Sequence, residues 1–354
     1  MTAAVPGGHE RERPAHMSAA SLSDRLVAAW YSPRRTLPAI LLVPLALIFR
    51  AAIALRRSLY RRRLLPVTRL PVPVIVVGNI TAGGNGKTPL AIALADEFAR
   101  RGWRPGIVSR GYGRRDAAPR AVATDDDPGD VGDEPLLLAR TGLPVWVGAD
   151  RAAAARGLLA AHPECRLIIA DDGLQHYALA RDVEIAVIDV ERGVGNGLPL
   201  PAGPLREPAS RLAEVDAVVR LGSGAALRSG RDFTMSLAGE RFVRVDTAAV
   251  VADADSFRSG QVHAVAGIGN PARFFAQLAA LGIAAVRHPF PDHHRYSESD
   301  LGFTGATAIL MTEKDAVKCA SFADDRCWAL PVRAIVDPGL FALIERKLRG
   351  SQAA

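Results

Sequence analysis

Hydrophobic positions recur in two rhythms along the chain. Short β-branched or apolar runs occupy residues 74–77, 106–109, 145–147, 167–170, 184–190 and 215–221. Between them, apolar residues repeat at helical spacing, as in Leu90, Leu94 and Phe98, or in the Ala-rich stretch 151–161. Strand-length runs alternating with helical stretches predict a mostly parallel α/β sheet. From about residue 225 glycine and serine become frequent and the pattern loosens through 260. It resumes at 263–271, followed by a helix over 272–281 with Phe274, Phe275, Leu278 and Leu281 on one face, then runs at 283–289 and 308–312. These predict a second, smaller α/β unit, with the site between the two, since sites favour domain interfaces.

The N-terminal end of the pattern is different. Residues 1–20 are polar and lack the apolar stretch of a signal peptide, so they read as a disordered leader, with Met1 or Met17 as the start. Residues 37–49 form an uncharged run of 13, broken by Pro38 and Pro44, with Trp30 and Tyr31 before it and Arg50, Arg56, Arg57, Arg61, Arg62 and Arg63 after it. Crossing ~30 Å of hydrocarbon takes about 20 apolar residues. The aromatic and basic flanks instead suit a helix lying in the interface of an anionic leaflet. A buried core helix with a solvated basic flank has the same signature. The expected organisation is therefore a leader (1–20), a membrane-associated segment (21–64), a phosphate-loop domain (65–225), a connecting region (226–260) and a C-terminal α/β domain (261–354).

Charge supports that division. The formal charge is +7, yet residues 1–70 hold 12 arginines and no lysine against three acids, or +9, leaving −2 for the rest. A basic patch confined to one end points to an anionic surface there, not to nucleic acid. Hydrophobic content of 49% and charged content of 23% are ordinary for a globular protein. Cys165, Cys319 and Cys327 show neither paired nor metal-ligand spacing, as expected in a reducing compartment.

The chemistry centres on the turn after the first β-branched run. Thr81-Ala82-Gly83-Gly84-Asn85-Gly86-Lys87-Thr88 leads from a strand into a helix with Pro89 in its first turn. This is the build of a P-loop, whose backbone N–H groups and helix N-terminus cradle nucleotide phosphates. Lys87 would reach the β/γ-phosphates and Thr88 would join a Mg²⁺ shell. The strict pattern has glycine where this chain has Thr81. Asp171 and Asp172 end an apolar run 84 residues after Lys87, where a P-loop fold needs an acid for its magnesium. Arg110 lies in a second glycine-rich loop, placed for a phosphate or sugar. Asp133 leads into a helix, either as an N-cap or as a carboxylate aimed into the site. His288, Asp292, His293 and His294 admit zinc binding, a His–Asp pair for proton handling, or a structural role.

Together these motifs resemble the tetraacyldisaccharide 4'-kinase family. The shared runs are Gly78-Asn79 followed by Gly83 to Pro89, Ser109-Arg110-Gly111-Tyr112-Gly113, Gly132-Asp133-Glu134-Pro135, and Asp171-Asp172-Gly173-Leu174-Gln175-His176. Others are Pro201 to Glu207, Ala266-Gly267-Ile268, Asp292-His293 and Thr312-Glu313-Lys314-Asp315. The resemblance runs from about Trp30 to the C-terminus, and a small residue at the Thr81 position is usual in that family. It implies ATP and Mg²⁺ as cofactors and transfer of the γ-phosphate to the 4'-hydroxyl of a tetraacylated glucosamine disaccharide 1-phosphate, a lipid A precursor. It further implies Asp133 as proton acceptor with His293 beside it, Lys87 and the loop amides on the developing charge, and Thr88 with Asp171 or Asp172 on the metal. Asn79, Arg110, Gln175, His176, Arg206 and Glu207 become candidates for the substrate. The enzyme would work at the cytoplasmic face of the inner membrane, peripheral or monotopic, its arginines facing anionic lipid, with no nucleic-acid or obligate protein partner. A rival reading is a P-loop switch or metallochaperone-type NTPase, which would use the same Lys87, Thr88 and Asp171 to drive partner binding. A non-enzymatic nucleotide sensor would lack a proton acceptor.

Overall fold

The computed structural model describes residues 22–32, 34, 36–84, 86–224 and 231–352. The expected leader, Met1 and Met17, Asn85 of the phosphate loop, and the expected boundary at 225–226 lie outside the described residues. The chain opens with helices α1 (Leu22–Trp30), α2 (Leu37–Leu41) and α3 (Val43–Arg61). Then follow β1 (Val74–Gly78), α4 (Lys87–Arg100), β2 (Pro105–Ser109), β3 (Arg120–Ala121), α5 (Pro128–Val131), α6 (Asp133–Ala139) and β4 (Val145–Val147). Next are α7 (Arg151–Ala161), β5 (Leu167–Ala170), β6 (Val183–Asp189), β7 (Ala217–Leu221) and β8 (Asp232–Ala238). The last stretch holds β9 (Arg241–Arg244), β10 (Val251–Asp253), β11 (Val262–Ala266), α8 (Pro271–Ala280) and β12 (Ala285–Pro289). It ends with β13 (Ala308–Thr312), α9 (Glu313–Cys319), β14 (Cys327–Leu330), β15 (Arg333–Val336) and α10 (Pro338–Gln352).

Two sheets result. The larger has the order β15-β8-β7-β6-β1-β5-β2-β4-β3, parallel from β8 through β4 and antiparallel only at its two edge pairs. This is the mostly parallel sheet that the two rhythms predict. β1 lies at its centre between β5 and β6 and is buried along its whole length. The chain goes to opposite sides of β1 in its two halves, and a ligand crevice opens at the carboxyl ends of strands around such a point. On one face α4 buries Leu90, Leu94 and Phe98 completely against the sheet. The smaller sheet has the order β10-β9-β14-β13-β11-β12, parallel from β14 to β12.

The expected boundaries need correcting. Residues 226–260 do more than connect, because β8 extends the larger sheet while β9 and β10 form the antiparallel edge of the smaller one. Nor does the second unit run to 354. After β14 the chain crosses back, β15 pairs with β8, and α10 buries Leu340, Ile344 and Leu348 in the core that holds Leu94 and Phe98. Strand pairing is non-local, so the apolar pattern of 333–348 carries no record of which sheet it joins.

The N-terminal helices lie against this body. Trp30 Nε1 donates to the Pro201 carbonyl (2.9 Å), and Arg56 donates to the Gln175 carbonyl (3.2 Å) while lying over the Tyr60 and Tyr177 rings. Arg57 pairs with Glu214. Arg56 and Arg57 are therefore used to dock α3, contrary to the expectation that all of these arginines face lipid; Arg50, Arg61, Arg62 and Arg63 remain exposed. Leu37, Ile40, Leu41, Leu45, Leu47, Ile48 and Leu55 are also exposed, and Ala46 is the buried residue of α3. No helix among the described residues is long and apolar enough to cross a membrane.

A chain cut after Leu330 is expected to lose cooperative thermal unfolding. It uncovers the α4 face, and each buried Leu or Ile lost from a core costs about 2–5 kcal/mol. Retention of the full-length melting temperature, followed by circular dichroism, would contradict this packing.

Candidate active site

The phosphate loop follows β1 and is gripped from outside. Ala82 N–H donates to the Pro204 carbonyl (2.7 Å), and Tyr31 Oη donates to the Ala82 carbonyl (3.4 Å). Thr81, the departure from the strict motif, is buried and pairs with Leu205 in an isolated β-bridge. Gly86 has φ of 78°, and a Cβ there would lie 2.8 Å from Leu221 Cδ2. Both the backbone conformation and the space require glycine. Gly84 meets Gly269 of the loop between β11 and α8, where a Cβ on Gly269 would fall 2.3 Å from Gly84 N. The second unit therefore closes one side of the phosphate loop.

Lys87 is 6% exposed, with Nζ 3.4 Å from Asp172 Oδ1 and 3.5 Å from both Asn79 Oδ1 and the Gly83 carbonyl. Thr88 donates its hydroxyl to Asp171 Oδ2 at 3.0 Å. Since β1 and β5 are neighbours, lysine, threonine and both aspartates meet at the strand ends. The two aspartates have opposite surroundings. Burial, then the charges of Glu134 and Asp172, push the Asp171 carboxyl up to about 7. Burial also works against the charge on Asp172, but Lys87, Arg206 and Arg151 outweigh it and hold that carboxyl well below the usual range. Arg206 donates to Asp172 at 3.2 Å, and Arg151 donates to the Asp172 carbonyl at 3.2 Å. A buried carboxylate short of cationic neighbours, hydrogen-bonded to a threonine hydroxyl, is a hard oxygen donor pair of the kind that suits Mg²⁺.

Asp133 is the first residue of α6. Gly132 occupies the N-cap with no side-chain cap bond, so Asp133 is not the cap. Its Oδ1 accepts from Glu134 N–H (3.0 Å), and its Oδ2 accepts from His293 Nδ1 (3.0 Å), which comes from the loop after β12. Burial alone would raise the Asp133 carboxyl, but the His293 hydrogen bond and the Lys314 charge outweigh it and hold it at about 2. Tyr112 packs its ring 4.7 Å from that of His293, which sits at φ of 60°.

The remaining histidines go elsewhere. His288 bonds His263 (2.9 Å), and His294 bonds Asp300 (3.3 Å). Among the described residues no group of three His, Cys, Asp or Glu side chains could hold a metal, so the zinc reading finds no ligand set. Gln175 spans the Asn79 carbonyl (2.9 Å) and Glu207 Oε1 (2.8 Å). Glu207 is buried, its other oxygen accepting from Tyr177 with Arg211 3.3 Å away, so it stands behind Gln175 instead of facing a ligand. Burial and the Arg151 charge lower His176 to about 4, and Arg110 is exposed. Three further side chains join the cluster: Arg151, Glu134 and Lys314. Lys314 Nζ lies 3.2 Å from both Glu134 and Asp292, the acid of the expected His–Asp pair. The one signal for Lys314 is its place in the run Thr312-Glu313-Lys314-Asp315.

Hydrolysis and transfer to a hydroxyl both need a group that orients and deprotonates the attacking oxygen, so the carboxylate–imidazole pair serves either. The fold and site define a P-loop nucleotide-binding enzyme, and its relatives make it a kinase. The chain belongs to the tetraacyldisaccharide-1-P 4'-kinase family, whose profile matches residues 38–349. It is 54% identical over 338 residues to the tetraacyldisaccharide 4'-kinase of Dechloromonas aromatica, covering 94% of this chain and 100% of that one. It is 53% identical to the enzyme of that name from an Azoarcus species, covering 88% and 92%. The crystal structure of LpxK from Aquifex aeolicus in complex with ATP is similar with a TM-score of 0.74 and 29% identity, covering 88% of this chain and 100% of that one.

The carboxyl of Asp171 titrates above its unfolded value of about 3.9, so the folded protein holds more protons between those limits and loses stability as pH rises through them. Asp171→Asn is therefore expected to melt higher than the parent at pH 8 in chelator without nucleotide. The gap should narrow towards pH 5. A parent that melts higher at pH 8 would contradict the assignment.

Proposed function

We propose that the chain transfers the γ-phosphate of ATP to the 4'-hydroxyl of a tetraacylated glucosamine disaccharide 1-phosphate, a step of lipid A synthesis. The observation that carries this reading is the pairing of Asp133 with His293 beside the phosphate loop, in a chain of this family. Asp133 accepts the 4'-hydroxyl proton as the O4'–Pγ bond forms and the bond from Pγ to the β-phosphate oxygen breaks, releasing ADP. Its low-lying carboxyl is a weak base in isolation. It is nonetheless fully ionised at neutral pH and suits a loose transition state, in which the proton moves late. Lys87 and the loop amides stabilise charge on the phosphoryl oxygens. Thr88 and Asp171 would hold Mg²⁺, which when bound would neutralise phosphate charge. Asp172, bound by Lys87 and Arg206, keeps both cations in place. Arg110 and Gln175 remain for the acceptor sugar, while buried Asn79 donates to the Gly83 carbonyl and lies beside Lys87.

The exposed apolar residues of α2 and α3, with Arg50 and Arg61 to Arg63 beyond them, support attachment to the anionic cytoplasmic face of the inner membrane. Each leucine side chain moved from water into lipid contributes about 1.5–3 kcal/mol. Lipid attachment would bring the acceptor, whose acyl chains stay in the leaflet, to the site. The NTPase-switch alternative finds no observation in its favour.

Incubation with ATP, Mg²⁺ and the tetraacyl disaccharide 1-phosphate should yield a lipid heavier by one phosphate. In Asp133→Ala kcat should fall by about 10²–10⁴-fold with the KM for ATP little changed, the usual size of a lost proton acceptor. Near-normal turnover would remove Asp133 from that role. Combined Leu41→Glu, Leu45→Glu and Ile48→Glu should abolish sedimentation with anionic vesicles while leaving the melting temperature unchanged, and persistent sedimentation would refute the attachment surface.

A further inference from the structure

Three carboxylates crowd the mouth of the site: Asp133 and Glu134 at the start of α6, and Asp292 in the loop after β12. Like charges gathered in this way repel one another. A single ammonium stands among them. Lys314, the second residue of α9, is 13% exposed, with Nζ 3.2 Å from Glu134, 3.2 Å from Asp292 and 3.8 Å from Asp133 Oδ2. It also lies 3.4 Å from His293 Nε2. An ammonium can only donate, so Nε2 must accept. The ring proton then sits on Nδ1, where it is donated to Asp133.

We propose that Lys314 is the positioning residue of the proton acceptor, keeping Asp133 ionised and His293 in the one tautomer that can hold it. This inference rests on the reading of Asp133 as the acceptor. It also gives the second unit a duty in the chemistry: α9 delivers a charge that works with the His293 hydrogen bond to hold Asp133 as a base. The turn that carries Lys314 is itself fixed. Thr312 caps α9, and buried Asp315 accepts from Thr312 Oγ1 (2.6 Å) and from Gly267 N–H (3.2 Å), which locks α9 to the loop facing Gly84. The groups that bear on Asp133 are thus His293 from the β12 loop, Lys314 and Lys318 from α9, Glu134 from its own helix, and Asp292. Lys318 is engaged by Asp315 at 2.8 Å, which leaves Lys314 as the near cation.

The test is the pH profile of kcat for the full chain with ATP, Mg²⁺ and the disaccharide acceptor, in Lys314→Met, Lys314→Gln, Lys314→Arg and Asp133→Asn. An opposite charge at this range moves a carboxylate by about 1–3 pH units. In Lys314→Met and Lys314→Gln the acid limb should shift to higher pH by that amount, so kcat falls on the acid side while kcat at pH 7 stays near that of the parent. The KM for ATP should hardly move. Lys314→Arg, which keeps the charge, should hold the acid limb near that of the parent. A neutral variant whose acid limb does not move overturns the proposal, even if its KM or melting temperature changes. So does a pair of neutral variants that do not fold, because Lys314 would then serve the fold and not the base. Asp133→Asn separates the two levels. If it turns over normally, the acceptor reading itself fails; if it is inactive while the neutral Lys314 variants keep the parental limb, the Lys314 assignment alone fails.

Discussion

The hydrogen bond from His293 Nδ1 to Asp133 Oδ2 joins two residues 160 positions apart and the two sheets of the molecule. Much of the architecture serves that meeting. Gly84 and Gly269 touch through their backbones, and a Cβ on Gly269 would fall 2.3 Å from Gly84 N, so glycine at 269 lets the loop ahead of α8 lie flush against the phosphate loop. Beside that contact, buried Asp189 at the end of β6 binds Arg273 of α8 at 2.6 Å. The return of β15 and α10 to the larger sheet means that the second unit is tethered at both ends. A unit held in this way loses less entropy on closing than one on a free linker, and proximity of reacting groups is where much of the rate of a positioned reaction originates.

A division of labour among acids follows from environment and not from residue type. Asp171 and Asp172 are adjacent in sequence, yet one is pushed up by burial and the other held down by Lys87 and Arg206. The first is a carboxylate in want of a cation, and the second is already neutralised. Asp133 is a third case, buried but held ionised by partners from the other sheet. Acids whose surroundings drive them apart in this manner are a mark of sites that separate metal holding, charge anchoring and proton transfer.

The fold class was legible because its signals are local. β-Branched runs, helical spacing and the glycine turn before Lys87 announce themselves within a dozen residues. Sheet membership was not, since β8, β15 and α10 join the larger sheet through pairings whose partners lie far away in sequence. The candidate residues Lys87, Thr88, Asp133, Asp171, Asp172 and His293 gather at one place, all but His293 at a strand end or helix start. Glu207 stands one layer back, and Arg56 and Arg57 serve docking. Lys314 escaped notice because a lysine after Thr-Glu at the start of a short helix looks like an ordinary solvated residue until the opposite unit brings Asp133 and Glu134 to it.

The central claim is that Asp133 takes the acceptor's proton, and a crystal structure tests it most directly. The complex would contain a non-hydrolysable ATP analogue, Mg²⁺ and the disaccharide 1-phosphate. The account predicts the 4'-oxygen within about 2.6–3.2 Å of an Asp133 carboxylate oxygen, the reach a proton acceptor needs, and in line with the γ-phosphorus. A 4'-oxygen bound by another carboxylate, with Asp133 facing only protein, would contradict it.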